Sequence, residues 1–349
     1  MDPRKRDILK AVVQEFTATA VPVGSQVLVE RHFLNLSSAT VRNELANLSD
    51  LGYLIQPHTS AGRIPSDHGY RYFVDFLMET EPLPNQVRTF IDDQIQAAGP
   101  DQQALVEKIA MVVANVTQNA SVVTAPYGPT AKIKHLDLVS LEPQAVLLIL
   151  LLEGNLLRQH LLEVKAPVDQ PELTRVAAKL QRQLAGKDRE AVDHRLKEVD
   201  QKLKESSSRD EGTTEQEILT TLEALLGQYE RGAETLVVHD GVRNLVKQPE
   251  FTDALRLQVV LEVLEESRHL SSLLREMIGE SDMQVVIGSE NSAEQLRSCT
   301  VVLTTYGPSG RLKGTLGVVG PTRMRYGQIL ARLKAVSRAA TRRTTELVS

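Results

Sequence analysis

Three observations on the sequence predict a multidomain α+β protein. Its length of 349 residues favours two or three domains over one. Residues 1–78 show the periodicity of short helices, whereas residues 133–164 hold three apolar runs that are typical of strands. After a charged helical stretch, strand-like runs return beyond residue 234. We therefore expect an N-terminal helical domain and one α/β domain that is interrupted by a mainly helical insertion.

The composition is that of an ordinary globular protein, with 42% hydrophobic and 24% charged residues. A net charge of -5 argues against a nonspecific polyanion binder, although a small domain can still bind nucleic acid through a few placed contacts. The single cysteine, Cys299, excludes a disulfide within the chain and a cysteine-rich metal site. The first ten residues lack the apolar core of a signal peptide, and the longest apolar run, residues 145–152, is too short to span a bilayer. We expect a cytoplasmic protein.

The order and lengths of the first elements predict a winged helix-turn-helix. The first helix is predicted over residues 4–19 and the second over residues 26–33, capped by Ser25. A third helix is capped by Ser37 or Ser38 and stops at Gly52. A strand over residues 53–55, a tight loop over residues 56–65 and a helix from Ser66 follow. Pro22 and Gly24 separate the first two helices, and glycine is a common residue just past a helix end. In this fold the third helix enters the major groove of DNA.

The third helix is predicted to have an apolar face and a polar face. Val41, Leu45 and Leu48 have i, i+4, i+7 spacing and should face the core. This spacing turns four residues outward and places two on the flank: Ala39, Arg42, Asn43 and Ala46, then Thr40 and Asn47. Arginine can bridge the two acceptors of guanine, and asparagine can pair with both groups of adenine. The serines before the helix lie at its positive end, where phosphate is favoured. The alternative is a solvated face with an ordinary serine cap.

The segment QPHTSAGRIPS forms a loop between prolines and contains His58, Thr59, Ser60 and Arg63. Such a loop can enter the minor groove or contact phosphate, and the alternative is an ordinary hairpin tip. The predicted DNA-binding residues are Ser37, Ser38, Ala39, Thr40, Arg42, Asn43, Asn47, His58, Thr59 and Arg63. In the helix that follows, Tyr70, Phe73 and Val74 have the spacing of core residues, and we expect packing rather than DNA contact for Arg71 and Tyr72.

Charge limits how this first domain can bind DNA. Residues 1–78 contain eight Lys and Arg and eight Asp and Glu. A neutral domain gains little nonspecific affinity from counterion release. We therefore expect tight binding only when two copies meet a matched site.

The rest of the chain is predicted to divide where the hydrophobic periodicity and the composition change. The predicted ranges are 1–78 for the winged-helix DNA-binding domain, 79–100 for a linker and connecting helix, 101–166 for the first part of the α/β domain, 167–232 for the insertion, and 233–349 for the second part with a closing basic helix. Residues 133–164 are predicted to form an antiparallel meander within the first part. In the insertion, residues 204–214 are predicted to be a flexible loop. Leu219, Leu222, Leu225 and Leu226 form a stripe of the kind that often packs on a partner.

No catalytic or metal-binding set stands out. His239–Asp240 resembles a metal-binding pair but lacks companion ligands, so a strand end followed by a turn is favoured. Gly310, Gly314, Gly317 and Gly320 are predicted to permit close packing of a strand rather than to cradle phosphate. Cys299 is predicted to be a buried, inert thiol. The basic residues between positions 332 and 343 are predicted to be solvated. We expect no enzyme activity, no cofactor and no metal.

The segment LSSATVRNELANLSDLGYLIQPHTSAGRIPSDHGYRYFVD strongly resembles the signature of the HrcA family of bacterial heat-inducible transcription repressors. The likeness continues in VHDGVRNLVKQPEF, IGSEN and GTLGVVGPTRMRYGQ, so it reaches the start, middle and end of the chain. This resemblance implies a winged-helix domain, a GAF-like α/β domain and an inserted dimerisation segment. It also implies a homodimer on an inverted repeat of double-stranded DNA upstream of chaperone operons, and activation by the chaperonin GroEL.

The function expected from residues and resemblance together is a sequence-specific repressor of heat-shock chaperone operons that loses activity on heat stress. Two other classes stay open at this point. One is a GAF-type regulator of metabolic genes that responds to a small molecule. The other is an enzyme that uses the central domain, against which the missing catalytic set argues.

Overall fold

The computed structural model describes residues 1–99, 101–126, 132–153, 156–205, 210–230, 236–265, 274, 277, 283–308 and 313–348. The helices are α1 Pro3–Thr19, α2 Ser25–Arg31, α3 Ser38–Asp50, α4 Asp67–Tyr72, α5 Asn85–Gln96, α6 Gln102–Thr117, α7 Gln170–Leu184, α8 Arg189–Glu205, α9 Asp210–Glu230, α10 Val242–Val246, α11 Ala254–Glu265 and α12 Tyr326–Val348. The strands are β1 Leu54–Ile55, β2 Ile64–Pro65, β3 Ala120–Thr124, β4 Ile133–Glu142, β5 Ala145–Leu152, β6 Leu156–Glu163, β7 Val237–Asp240, β8 Met283–Ile287, β9 Cys299–Tyr306 and β10 Gly314–Pro321. The predicted mixture of helix and sheet is confirmed. None of the described helices is both long enough and apolar enough to cross a membrane.

The N-terminal unit, residues 1–78, consists of α1 to α4 and the short β1–β2 hairpin, and a π-helical turn over Phe73–Leu77 extends α4. Val12, Leu28 and Leu48 are fully buried in it, as the apolar spacing predicts. One predicted cap is wrong. Gly24, not Ser25, stands at the N-cap of α2, because Ser25 already lies in the first turn and its Oγ is 2.9 Å from Ser38 Oγ.

A five-stranded antiparallel sheet in the order β7-β3-β10-β9-β8 forms the centre of the α/β unit. Both faces of this sheet are covered. Val123, Val302 and Val318 pack in the same core as α5, α6 and α12, whereas Val122 and Val301 pack in the core that includes α10 and α11. Strands that are apolar on both faces are typical of a sheet between two helical layers. The unit is therefore built in three layers.

Between β3 and β7 the chain builds a separate unit, the inserted unit. Its strands form a three-stranded antiparallel sheet in the order β4-β5-β6, which confirms the predicted meander. The inner face of this sheet shares one core with α7, α8 and α9. The predicted boundary between residues 166 and 167 falls inside this core, since both sides of the boundary pack together. The insertion is thus as much sheet as helix in its packing.

The predicted flexible loop over residues 204–214 is partly corrected. Residues 206–209 lie outside the described residues, but Asp210 to Thr214 belong to α9. The leucine stripe of α9 is also corrected, because Leu219, Leu222 and Leu226 are fully buried in the core that the helices and the sheet of the inserted unit share. Leu225 is partly buried and packs against the same core, so the stripe stabilises the inserted unit.

Two details of the C-terminal part bear on the predictions. A Cβ at Gly317 would lie 2.5 Å from Val302 O, which confirms that this glycine permits close strand packing; Gly310 lies outside the described residues. The basic helix α12 is less solvated than predicted. Its Leu333 is fully buried, Arg342 pairs with Asp92, and Arg343 donates to the carbonyl of Ala98.

Candidate nucleic-acid interface

Helix α3 is defined at both ends by local hydrogen bonds. At its start, Ser37 Oγ accepts from the Thr40 N–H at 3.0 Å, so Ser37 rather than Ser38 is the cap. At its end, Gly52 has φ +79°, and the Tyr53 N–H reaches back to Leu48 O at 2.9 Å. This arrangement is a Schellman motif, which a left-handed glycine permits. The helix is therefore fixed in length before any partner binds.

The polar face of α3 lies where the spacing predicts. Val41 and Leu48 are 0% exposed and Leu45 is 4% exposed, so the opposite side of the helix faces outward. Ala39, Arg42, Asn43 and Asn47 are exposed, while Thr40 and Ala46 are half-buried. The side chains of Arg42, Asn43 and Asn47 make no hydrogen bond or ion pair with any other described residue. We call Ala39, Arg42, Asn43, Ala46 and Asn47 the polar row.

The start of α3 is held against α2. Ser25 Oγ and Ser38 Oγ are 2.9 Å apart across the turn between the two helices. This contact occupies the Ser38 hydroxyl, and the cap occupies the Ser37 hydroxyl. What the helix start offers an anion is therefore its first backbone N–H groups, which no helix uses internally.

The acidic residue on the flank of α3 is neutralised by α1. Glu44 lies 3.2 Å from Lys5 Nζ and 3.9 Å from Arg4 NH1. Hydrogen bonds to Asp2 and to Glu44 raise the pKa of Lys5, so this lysine stays charged. An unpaired carboxylate here would repel a phosphate backbone. The ion pairs therefore remove an obstacle from the edge of the polar row.

The β1–β2 hairpin carries the predicted loop. Gln56 Nε2 donates to Thr59 O at 2.9 Å and to Ala61 O at 3.1 Å, and the Ala61 N–H donates to His58 O. The side chains of His58 and Thr59 are exposed at its tip. Gln56 thus orders the loop from inside, a role that composition alone did not indicate.

Arg63 joins this loop to α3. Its Nε donates to Ser49 Oγ at 2.8 Å, and its backbone pairs with Val23 in both directions at 2.8 Å. The guanidinium is partly buried in the seam between helix and hairpin. Its first role in the structure is therefore to fix the loop against α3. Ser49, its acceptor, lies i+4 from Leu45 and i+7 from Arg42, on the border between the apolar and the polar face, where spacing alone indicates no partner.

Arg71 is turned away from this surface. Its Nε and NH2 bind the two carboxylate oxygens of Glu290 at 2.8 and 2.5 Å, and NH2 also donates to Val285 O. Packing rather than DNA contact is thus the outcome for Arg71, as expected from the sequence. The ten predicted DNA-binding residues, by contrast, all lie on α3, its cap or the hairpin.

A second surface lies on the inserted unit. β5 is apolar at all eight positions, but only alternate residues face the core. Its other face, with its neighbours on β4 and β6, carries half-buried and exposed apolar residues that we call the apolar sheet face: Val139, Leu147, Ile149, Leu151, Leu157 and Leu161. Asp137 and Gln159 flank Ile149 within it. Leu157 and Leu161 are 52% and 58% exposed. A soluble chain rarely leaves such a patch uncovered.

The remaining chemical candidates have structural roles. Burial raises the pKa of the Cys299 thiol to about 11, so the thiolate that a nucleophile needs is not formed near neutral pH. His239 is exposed at the end of β7, and Asp240 accepts from the N–H of Gly241 in the turn that follows. Both arrangements agree with the predicted inert thiol and strand end.

The chain matches the family model described as the HrcA protein C terminal domain over residues 103–330. Three relatives are each called heat-inducible transcription repressor HrcA. The protein of Roseiflexus castenholzii is 36% identical over 96% of this chain and 92% of its own length. That of Carboxydothermus hydrogenoformans is 36% identical over 97% and 96%, and that of Streptomyces avermitilis is 37% identical over 97% of both chains.

A solved structure has the same fold. It is described only as a hypothetical protein at 2.2 Å resolution, and it is 24% identical over 99% of both chains with a TM-score of 0.63. This likeness concerns the fold alone. It extends over the whole chain, so it covers the N-terminal, α/β and inserted units together.

Proposed function

The chain belongs to the HrcA family of heat-inducible transcription repressors, and from that premise we propose that it represses by binding double-stranded DNA as a homodimer. The N-terminal unit acts as a winged helix-turn-helix in which α3 enters the major groove and the β1–β2 hairpin is the wing. The α/β unit is GAF-like. The target is an inverted repeat upstream of chaperone operons, and heat relieves repression by lowering the active fraction of the protein.

The polar row carries this proposal. A helix that approaches base edges must present small residues for close contact and unpaired donors for readout. Ala39 and Ala46 supply the first, and Arg42, Asn43 and Asn47 supply the second. These donors make no hydrogen bond or ion pair with another described residue, so DNA binding would break no such interaction. Arg63, His58 and Thr59 then add contacts from the wing.

The apolar sheet face supports the homodimer. Leu147 lies opposite Val139 on one side and Leu161 on the other, so one row is apolar across all three strands, and Leu151 lies opposite Leu157 on β6. A two-fold axis brings the same patch of both subunits together, so apolar side chains would meet apolar side chains. We propose that the inserted unit dimerises through this face. The neutral charge of residues 1–78 is the reason that pairing is needed for affinity.

The packing favours a revised domain division. We propose residues 1–78 for the DNA-binding domain, residues 79–100 for the connection, residues 101–126 and 236–349 for the GAF-like domain, and residues 132–230 for the dimerisation insert. By family resemblance we further propose cytoplasmic action and promotion of the active form by GroEL.

The operator proposal is tested by selection from a pool of random-sequence duplexes with the full-length protein. The expected outcome is an enriched inverted repeat, bound much more tightly than random DNA in a gel-shift titration. Enrichment of no palindrome, or equal affinity for random DNA, contradicts the proposal. Salt dependence is measured in parallel, because a neutral domain should show a shallow slope per subunit.

The dimer proposal is tested by sedimentation of a variant with Leu157→Glu and Leu161→Glu. Charges on the apolar sheet face should convert the dimer to a monomer and weaken operator binding. Leu255→Glu is the matched control, since Leu255 is 72% exposed on α11 outside the face. A double variant that remains dimeric places the interface elsewhere.

A further inference from the structure

Segments that carry the family resemblance outside the N-terminal unit meet at the junction between that unit and the α/β unit. The IGSEN segment contacts α4 through Ser289 and Glu290. Arg323, in the segment GTLGVVGPTRMRYGQ, donates to the carbonyl of Thr17 near the end of α1. Gln248 and Glu250, in VHDGVRNLVKQPEF, hold that arginine at 3.0 and 2.6 Å. None of these residues belongs to the polar row or to the β1–β2 hairpin.

The turn over residues 288–290 fits α4 closely. The Ser289 N–H donates to Asp67 Oδ2 at 2.8 Å, and Glu290 binds Arg71 through both of its carboxylate oxygens. Gly288 has φ +53°, and a Cβ there would lie 2.3 Å from the Asp67 carboxylate. A side chain at position 288 would therefore displace the Asp67 carboxylate from the Ser289 N–H. We call residues 288–290 the 288–290 turn.

The 288–290 turn is rigid in its own right. Asn291 is 2% exposed, and its Nδ2 donates to the carbonyls of Gly288, Leu296 and Cys299 at 2.8, 3.1 and 3.2 Å. Glu290 Oε2 also accepts from the Ile287 N–H at 2.8 Å. A side chain held by several bonds keeps its position and does not need ordering when its partner docks. The turn is thus held in place by hydrogen bonds within the α/β unit, in addition to its contacts with α4.

A second set of contacts lies beside the turn. The rings of Tyr70 and Tyr326 are 6.0 Å apart, and both side chains are buried. One continuous core includes Leu48 and Tyr70 of the N-terminal unit together with Tyr326 and Leu333 of α12. A two-point attachment with a shared core restrains rotation as well as separation of the two units. The polar row of α3 takes no part in it.

We propose that the 288–290 turn is a positioning latch that sets the direction in which α3 projects from each subunit, and thereby the separation of the two recognition helices on DNA. The inference rests on the proposed function, since it assumes a dimer that reads two half-sites. Two half-sites of a palindrome are read together only when the helices match their spacing, about one helical turn of DNA or a multiple of it. Asp67, Arg71, Gly288 and Glu290 are the positioning residues; they touch no base.

The latch is tested first without DNA. Spin labels are placed in the full chain at Asp50→Cys on α3 and Glu107→Cys on α6, both exposed positions, and their distance distribution is measured. The distribution should be narrow in the parent protein and should broaden when Glu290→Gln removes the ion pair. Glu223→Gln is the matched control, because it breaks a 2.5 Å pair with Arg189 inside the inserted unit. An unchanged distribution in Glu290→Gln and also in Asp67→Asn overturns the latch.

The second measurement uses DNA. Affinity is compared for the selected operator and for the same half-sites moved apart by about five base pairs, half a helical turn. The parent should prefer the original spacing, and Glu290→Gln should reduce that preference by up to about fivefold, while Glu223→Gln leaves it intact. The exchange of Arg71→Glu with Glu290→Arg should restore part of it. An unchanged preference, or a rise in operator affinity that would mark an inhibitory contact, overturns the proposal. If the parent itself ignores the inverted repeat, the proposed function fails, while the distance measurement still decides on the latch.

Discussion

Arg42 and Arg71 lie on two helices of one small unit and have opposite surroundings. Arg42 is exposed and makes no hydrogen bond or ion pair among the described residues. Arg71 makes a bidentate ion pair, a backbone bond and a further pair with Asp75. Both residues are arginines, so the difference lies in their exposure and their partners. Arg42 is available to a ligand, whereas Arg71 stabilises the packing of α4 against the α/β unit. The predictions below test this separation.

The largest effect is expected on the buried side of α3. Leu45→Ala should lower the free energy of unfolding by about 2–5 kcal/mol, because it leaves a cavity among Val41, Leu48 and their neighbours. Denaturant unfolding measures the change. DNA affinity should fall only in proportion to the fraction unfolded. A stable variant with poor operator binding would show that this face of α3, and not the polar row, meets DNA.

The next effect tests the junction. Gly288→Ala adds backbone strain and a clash with Asp67, whereas Gly186→Ala, at φ +72° with no atom within 4 Å, adds only strain. We expect Gly288→Ala to be destabilising by about 1–3 kcal/mol more than its control. Thermal or denaturant unfolding of both variants gives the difference. Equal losses would mean that α4 moves aside without cost.

A similar or smaller effect is expected at the polar row, in binding rather than in folding. Arg42→Ala or Asn43→Ala should each weaken operator binding by about 1–3 kcal/mol and relax selection at one base pair. The free energy of unfolding should stay within about 0.5 kcal/mol of the parent value, because neither side chain has a partner to lose among the described residues. Unchanged operator affinity for Arg42→Ala would mean that the helix is oriented differently on DNA.

The smallest effect concerns pH at Arg71–Glu290. Burial alone would raise the pKa of Glu290, but the hydrogen bonds from Arg71 and from the Ile287 N–H outweigh it and lower this pKa below 4.5. The ion pair therefore stabilises the fold above that ordinary value and loses its effect as the pH falls through the lowered pKa. The two side chains are about one-third exposed, so the gain is at most about 1 kcal/mol. The stability gap between the parent and Glu290→Gln should be present at pH 7 and should close in acid; a constant gap would contradict this assignment.

The same contrast explains what could be predicted. Three leucine and valine positions were enough to orient α3, because a helix repeats every 3.6 residues and its burial follows locally. The ion pair at the junction joins residues 219 positions apart, and no local pattern links them. The motifs of the C-terminal half were visible in the sequence, but their meeting at α4 follows only from the fold.

In the inserted unit, two apolar patterns of the sequence, the leucine stripe of α9 and the strand β5, differ in what they indicate about a partner. The leucine stripe of α9 is of the kind that often packs on a partner, although such a stripe is buried equally well in the core of its own unit. β5 carried the better signal. A strand with no polar residue at any position must cover both faces, and in a three-stranded sheet with helices on one side the other face is left over. Residues on both sides of the predicted boundary share one core for the same reason: apolar runs do not indicate which sheet they join.

The way in which the inserted unit joins the α/β unit has a consequence for the history of the chain. β3 and β7 are neighbours, with Thr124 paired to Val237, and the Ala125 N–H donates to Leu236 O at 2.8 Å. The end of β3 and the start of β7 lie side by side, so a short turn between these two strands could replace the whole inserted unit at a small cost in loop-closure entropy. Such a site accepts foreign modules and releases them without disturbing the host fold. Under the proposed function, pairing and DNA reading can therefore change independently, one by exchange of a module and the other by single substitutions on α3.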